Sequence, residues 1–192
     1  FLTTLLDFDK AGDLKLFLDK EQIEQLDEKM YEKGILEGKE MQNTFSLLRS
    51  YDLIWSFVVN IYLMGKEPFP FDLLYWNDDC TNMPAAMHSY YLRKMYLENA
   101  LVTAGGVTMK DVPVDLGKIK TPAFFLSTRE DHIAPWKATF DGIKHLGGDV
   151  TFTLAASVHI AGVINPPVKK KYCYWVNDKI TEQADDWLDQ AA

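Results

Sequence analysis

Ala123-Phe124-Phe125-Leu126-Ser127-Thr128-Arg129-Glu130-Asp131-His132-Ile133-Ala134-Pro135 is a short apolar run that stops in a charged loop. Such a run, preceded by Pro122, reads as a buried strand. Trp136, Phe140 and Ile143 then recur at helical spacing until Gly147-Gly148. From Asp149 to Ala155, Val150, Phe152 and Leu154 alternate with Thr151 and Thr153, the period-two signature of a strand, which runs into Ser157-Val158-His159-Ile160-Ala161-Gly162. Strand, loop, helix, strand, loop is the grammar of a parallel α/β sheet, which presents side chains where its strands end.

Upstream, Val112-Pro113-Val114-Asp115-Leu116 leads toward the first of these strands. Before Gly105-Gly106 the pattern is helical. Asp19-Lys20-Glu21-Gln22 spells a capping box, Ile23, Leu26 and Met30 follow at helical spacing, and Gly34 supplies a stop. Tyr51 to Met64 reads as a second, largely buried helix, with Asp52, Ser56 and Asn60 as a polar stripe and Gly65 at its end. Lys66 to Pro84 is an aromatic-rich connection without clear period, and mobile lids are built from such connections. Pro84 stands where the first position of a helix falls, and Met87, Tyr91 and Met95, broadened by Tyr90, Tyr96 and Leu101, form its apolar face. No strand signal is evident between about 19 and 104, so this block reads as a helical insertion. The chain opens on Phe1-Leu2-Thr3-Thr4-Leu5-Leu6-Asp7-Phe8, a buried-strand pattern, and therefore reads as part of something longer.

Composition narrows the function classes. The 192 residues include 28 acidic and 20 basic side chains, a formal net charge of −8, which argues against a sequence-independent nucleic-acid binder. Two cysteines, Cys80 and Cys173, are too few for a disulfide scaffold and fit a reducing compartment. The longest apolar run is shorter than the roughly 20 residues a bilayer-spanning helix needs. No basic segment precedes an apolar core at the N-terminus, so no signal peptide is expected.

Two residues carry the chemistry. Asp131 follows one strand and His159 the next, so a parallel sheet brings both to its carboxyl edge. Acid before histidine is the back half of an α/β-hydrolase triad, in which imidazole takes the nucleophile's proton and the carboxylate fixes its tautomer. A strand-end Asp alone is more often a turn residue and a lone His more often structural; the pair and its context carry the reading. His132 is a weaker, supporting candidate, and His88 and His145 sit in helical segments as ordinary residues. The nucleophile is missing: neither Gly-x-Ser-x-Gly nor Gly-x-Cys-x-Gly occurs, and Ser46, Ser50, Ser56, Ser89, Ser127 and Ser157 lack the flanking glycines of a nucleophile elbow. Cys80 follows Asn77-Asp78-Asp79, whose charge disfavours a thiolate, and Cys173 sits among Tyr172, Tyr174 and Trp175 as a packing residue. No His, Cys or carboxylate pair shows metal-ligand spacing.

The stretches from Phe125 to Trp136 and from His159 through Ile160-Ala161-Gly162-Val163-Ile164-Asn165 to Pro166-Pro167 strongly resemble class I poly(3-hydroxyalkanoate) synthases. Tyr75-Trp76-Asn77, Met83-Pro84-Ala85-Ala86-Met87-His88 and the opening Phe1 to Phe8 are similar to the same family. The resemblance implies an α/β-hydrolase fold: a core strand after the nucleophile elbow at 1–18, an inserted helical cap at 19–104, and the C-terminal half of the parallel sheet at 105–192. It implies polymerisation of (R)-3-hydroxyacyl-CoA, typically 3-hydroxybutyryl-CoA, into polyester with release of CoA. The implied triad is Cys-His-Asp, with its Cys upstream of Phe1. His159 would activate that Cys, Asp131 would support His159 and activate the incoming hydroxyl, and the chain by itself would be inactive. No cofactor is implied, the CoA thioester being substrate. A homodimer through the cap and a cytoplasmic location at polyester granules are also implied.

One departure stands out. The family has Gly directly before the catalytic His, where this chain has Val158; a β-branched residue resists positive φ, so the loop is expected to be β-like or strained there. The chain also stops at Ala192, before the family's Trp-rich ending. Two other readings stay open from sequence: a thioesterase or depolymerase of the same fold, and a non-catalytic module for dimerisation or granule binding.

Overall fold

The computed structural model describes residues 1–48, 50–68, 79–159 and 162–192. Its elements in chain order are helix α1 (Lys20–Tyr31), β1 (Ile35–Leu36), α2 (Gly38–Leu48), two π-type helical segments (Tyr51–Trp55 and Val58–Leu63), β2 (Met83–Pro84), α3 (Ala85–Tyr91), a further π-type segment (Leu92–Leu97), β3 (Thr108–Met109), β4 (Val112–Pro113), β5 (Ala123–Thr128), α4 (Trp136–Ile143), β6 (Val150–Ala155), β7 (Tyr174–Val176) and α5 (Ala184–Asp189). They divide into two compact units, Phe1–Gln22 with Tyr91–Ala192, and Ile23–Tyr90.

The first unit is built on a three-stranded sheet in the order β5-β6-β7. β5 and β6 are parallel from Ala123 opposite Val150 to Thr128 opposite Ala155, with α4 between them in sequence and packed on both. This is the strand–helix–strand unit that the alternation of Phe152 and Leu154 with threonines predicts. Phe125, Phe140, Phe152, Leu154 and Trp187 are almost wholly buried and join β5, α4, β6 and α5 into one core. Phe152 meets Phe140 and Trp187 edge-on, with ring centroids 5.2 and 5.0 Å apart. Each such ring contributes roughly 1.5–3 kcal/mol by leaving water.

Two sequence expectations fail in or beside this unit, and one strand is absent from the sequence reading. Phe1 to Phe8 is not a strand: Leu2 makes one isolated parallel bridge to Leu126, and Thr3, at φ 41°, turns the chain out of register. Leu6 and Phe8 are buried, but Phe1 and Leu2 are about half exposed. β7 was not foreseen; it runs antiparallel to β6, pairing Thr153 with Val176 and Ala155 with Tyr174. Its three residues are too few to show a period. Cys173 is exposed rather than packed, and its carbonyl accepts a 2.9 Å bond from the Ala156 N–H.

The Ile23–Tyr90 unit is mostly helical but contains strand pairing that the sequence conceals: β1 and β2 pair antiparallel, Ile35 with Pro84 and Leu36 with Met83. Pro84 consequently precedes α3 as the end of a strand instead of opening the helix. The cap of α1 is as read from sequence. Asp19 Oδ1 accepts from the Gln22 N–H at 2.8 Å and Gln22 Oε1 from the Asp19 N–H at 3.4 Å, while Gly34, at φ 67°, closes the other end onto the Met30 carbonyl. The segment from Tyr51 to Met64 is helical and ends at Gly65, yet it is not buried; Tyr51, Trp55, Phe57, Tyr62, Leu63 and Met64 are all exposed. The Lys66 to Pro84 connection, including Tyr75-Trp76-Asn77, lies in large part outside the described residues. No helix among the described residues is long and apolar enough to cross a membrane.

Candidate active site

Because β5 and β6 are parallel and end level, Thr128 beside Ala155, the segments that follow both leave from the same edge. The ladder continues past the strands: Arg129 N–H donates to the Ala155 carbonyl at 2.8 Å and Glu130 N–H to the Ser157 carbonyl at 3.0 Å. Two loops stitched in this way hold their side chains at fixed separation. Asp131 closes a turn on Thr128, its own N–H donating to the Thr128 carbonyl at 3.2 Å.

The Asp131 side chain is fully buried and its carboxylate is saturated with partners. Oδ1 accepts from the backbone N–H groups of Ile133 and Ala134 at 2.8 and 2.9 Å. Oδ2 accepts from the Thr128 hydroxyl at 3.4 Å and faces His159 Nδ1 at 2.6 Å. The two backbone donors prevent the carboxylate from rotating and leave Oδ2 aimed at the imidazole. With Nδ1 as the hydrogen-bearing nitrogen, Nε2 becomes the ring's acceptor, and the His159 side chain remains 28% exposed. A buried carboxylate fixing the tautomer of a partly exposed imidazole is the arrangement that lets histidine take a proton from an attacking group.

The other candidates fall elsewhere. His132 lies half-buried on the Asp131 loop, whose backbone is braced by Gly12: a Cβ there would stand 3.0 Å from Pro135 Cγ and 3.5 Å from the His132 carbonyl. His145 Nε2 faces Asp7 Oδ2 at 3.5 Å. His88, read as an ordinary helical residue, is buried, Nδ1 has no hydrogen-bond partner among the described residues, and burial lowers its pKa against a weaker opposing pull from Asp27. Cys80 lies in the Ile23–Tyr90 unit, with its Sγ 3.2 Å from Gln42 Oε1. No group of three potential metal-ligating side chains gathers among the described residues.

Sequence reasoning missed Thr128 and Ser157. Positive φ was expected to be an issue at Val158; it falls instead one residue earlier, at Ser157, with φ 82°. Val158 thereby escapes the conformation its branched side chain resists. The loop is also tied downstream, the Gly162 N–H donating to the Val158 carbonyl at 3.0 Å. A side chain at 162 would collide with Thr128 and with the Ala156 carbonyl, so only glycine closes this turn. Ile160 and Ala161 lie outside the described residues.

No family model matches the chain. Among curated proteins it is 50% identical over 189 residues to the poly(3-hydroxyalkanoate) polymerase subunit PhaC of Rhizobium meliloti (strain 1021), covering 98% of the chain and 31% of that protein. It is 52% identical over 189 residues to the poly(3-hydroxyalkanoate) polymerase of Methylorubrum extorquens, again covering 98% and 31%. To the corresponding PhaC subunit of Cupriavidus necator it is 47% identical, covering 97% of the chain and 33% of that protein. The chain spans about a third of the length of these curated relatives. Along nearly its whole length, then, this chain is a relative of the poly(3-hydroxyalkanoate) polymerases and corresponds to about one third of them.

Proposed function

We propose that this chain is the part of a polyhydroxyalkanoate-forming acyltransferase that supplies the base and its supporting carboxylate. The observation that carries the reading is the 2.6 Å bond between buried Asp131 and His159, in a chain about half identical to proteins named for that activity. The substrate is a (R)-3-hydroxyacyl thioester of CoA, with no separate cofactor. His159 Nε2 takes the proton of an attacking cysteine thiol, contributed from outside the 192 residues, as the sulfur adds to the thioester carbonyl. Collapse of the adduct breaks the carbon–sulfur bond to CoA, and CoA leaves as the thiol with that proton. In elongation a hydroxyl attacks the acyl-enzyme; its proton passes to the same pair and returns to the cysteine sulfur. Asp131 holds the tautomer in the first step and helps receive the hydroxyl proton in the second.

The same reading makes the sheet the C-terminal half of an α/β-hydrolase core, residues 19–104 its helical cap, and His132 a supporting residue. It includes self-association through the cap and a cytoplasmic location at the surface of polyester granules. Parallel strands that bring acid and histidine to one edge support the hydrolase assignment. The test is CoA release from 3-hydroxybutyryl-CoA by a full-length protein carrying this sequence. His159→Ala slows release to a small residual rate and His132→Gln costs far less. Equal losses in the two variants would move the base to His132.

A further inference from the structure

Lys169-Lys170-Lys171 is the one place in a chain of net charge −8 where three cations are consecutive, and no acidic residue stands between His159 and Asp178. All three residues are exposed, and none forms an ion pair among the described residues, whereas Lys10 and Lys144 both close on Asp141, at 2.6 and 2.7 Å. The loop that presents them is shaped by its own bonds. Lys169 N–H donates to the Pro166 carbonyl at 3.0 Å and Lys170 N–H to the Pro167 carbonyl at 3.1 Å. Aromatic rings follow the charges: Lys171 Nζ lies 5.0 Å from the centroid of the Tyr172 ring, and Tyr174 is exposed.

Topology carries this cluster to the edge where the acid and the histidine stand. β7 is antiparallel to β6, so its first residue, Tyr174, sits opposite Ala155, where the His159 loop departs. The Ala156 N–H reaches the Cys173 carbonyl there at 2.9 Å. Chain geometry keeps His159 within about 11 Å of Ala156 and Lys171 within about 7 Å of Cys173. Arg129 joins from the other side of β6, its N–H on the Ala155 carbonyl at 2.8 Å and its guanidinium 5.1 Å from the Trp175 ring centroid. Asp131 is buried against His159, which leaves Glu130 on this rim beside four cations. Positive charge clustered in this way draws anions.

We infer that Lys169, Lys170 and Lys171, with Arg129 beside them, form the site for the phosphates of the CoA nucleotide, and that Tyr174 offers a face for its adenine. CoA is the polyanion that the proposed reaction brings to this rim. Its thioester meets the imidazole, and its pantetheine arm carries the diphosphate and the 3′-phosphate away from that point. Ammonium and guanidinium groups hold phosphates by charge-assisted hydrogen bonds, and aromatic faces stack bases. The inference deepens the proposed function and rests on its acyl-CoA substrate.

The test compares two thioesters in full-length protein carrying this sequence: 3-hydroxybutyryl-CoA, and 3-hydroxybutyryl-pantetheine, which has the same reacting end without the nucleotide and its phosphates. Lys169→Gln, Lys170→Gln and Lys171→Gln together are expected to raise KM for the CoA thioester about tenfold at unchanged kcat, and to leave the pantetheine thioester's constants as they were. Added salt raises KM of the unsubstituted protein for the CoA thioester alone. Lys110→Gln, at an exposed lysine of the β3–β4 turn, is the control and changes neither. Equal changes with the two thioesters, or none, would overturn the inference. So would binding to phosphatidylglycerol vesicles that the triple variant loses while its KM ratio stays the same, which would assign the lysines to a lipid surface. Calorimetric titration of this chain with CoA needs no turnover. CoA bound by the chain and lost in the triple variant, in a protein that releases CoA from neither thioester, would count against the proposed function and leave this site standing.

Discussion

Asp131 shows why a single carboxylate can be worth more than its charge. Its Oδ1 is spent on the Ile133 and Ala134 amides, so only Oδ2 is left for the imidazole. In Asp131→Asn the carbonyl oxygen keeps the two backbone bonds and the NH2 group points at Nδ1. That forces the proton onto Nε2, the wrong nitrogen for a base. The expected loss of turnover in a full-length protein is about 10⁴-fold, with folding intact by circular dichroism. His88 makes a different statement. Burial lowers its pKa from 6.5, so the folded chain binds this proton less readily than the unfolded one. Its stabilising contribution is complete above pH 6.5 and is lost as pH falls from there through the lowered folded value. Urea midpoints should therefore drop on acidification through this window, and His88→Gln should flatten the drop. An unchanged slope would assign the acid sensitivity to other groups.

Among the elements, those legible in the sequence were the ones long enough to repeat a pattern. β5, α4 and β6 each carry several core residues at the right period, and the capping box of α1 lies within four consecutive residues. β1, β2 and β7 span only two or three residues, and no periodicity exists at that length. The Tyr51–Met64 segment misled for another reason: hydrophobicity was taken for burial, whereas its aromatic side chains stand exposed. At the site, Asp131 and His159 were legible because strand ends announce themselves; Ser157 was not, because nothing in a serine announces positive φ. Two variants test the local geometry. The β3–β4 turn places Lys110 and Asp111 at φ 46° and 64°, a pairing that favours Asn-Gly. Lys110→Asn with Asp111→Gly should raise stability by about 0.5–1 kcal/mol, read as a higher urea midpoint. Gly162→Ala should lower it by about 1–3 kcal/mol, since the new methyl overlaps Thr128 and the Ala156 carbonyl.

Across the whole chain, the proposed base His159 and its supporting Asp131 are present and the sequence contains no nucleophile elbow. Cys80 lies beside Gln42 in the Ile23–Tyr90 unit, and Cys173 is exposed at the start of β7. Incubated alone with 3-hydroxybutyryl-CoA, the 192-residue chain should keep its 22.0 kDa mass, with no acyl adduct on either cysteine. A stoichiometric adduct on Cys173 would make that residue a nucleophile and rewrite the site. The central claim, that Asp131 works through His159 as one unit, is tested most directly by a double-mutant cycle on the first acylation step. Full-length protein carrying this sequence is mixed with 3-hydroxybutyryl-CoA and CoA release is followed by rapid quench for His159→Ala, Asp131→Asn and the pair. Groups that act as a unit are strongly non-additive. The account predicts that the double variant acylates no more slowly than His159→Ala alone; losses that multiply would show that Asp131 and His159 act separately.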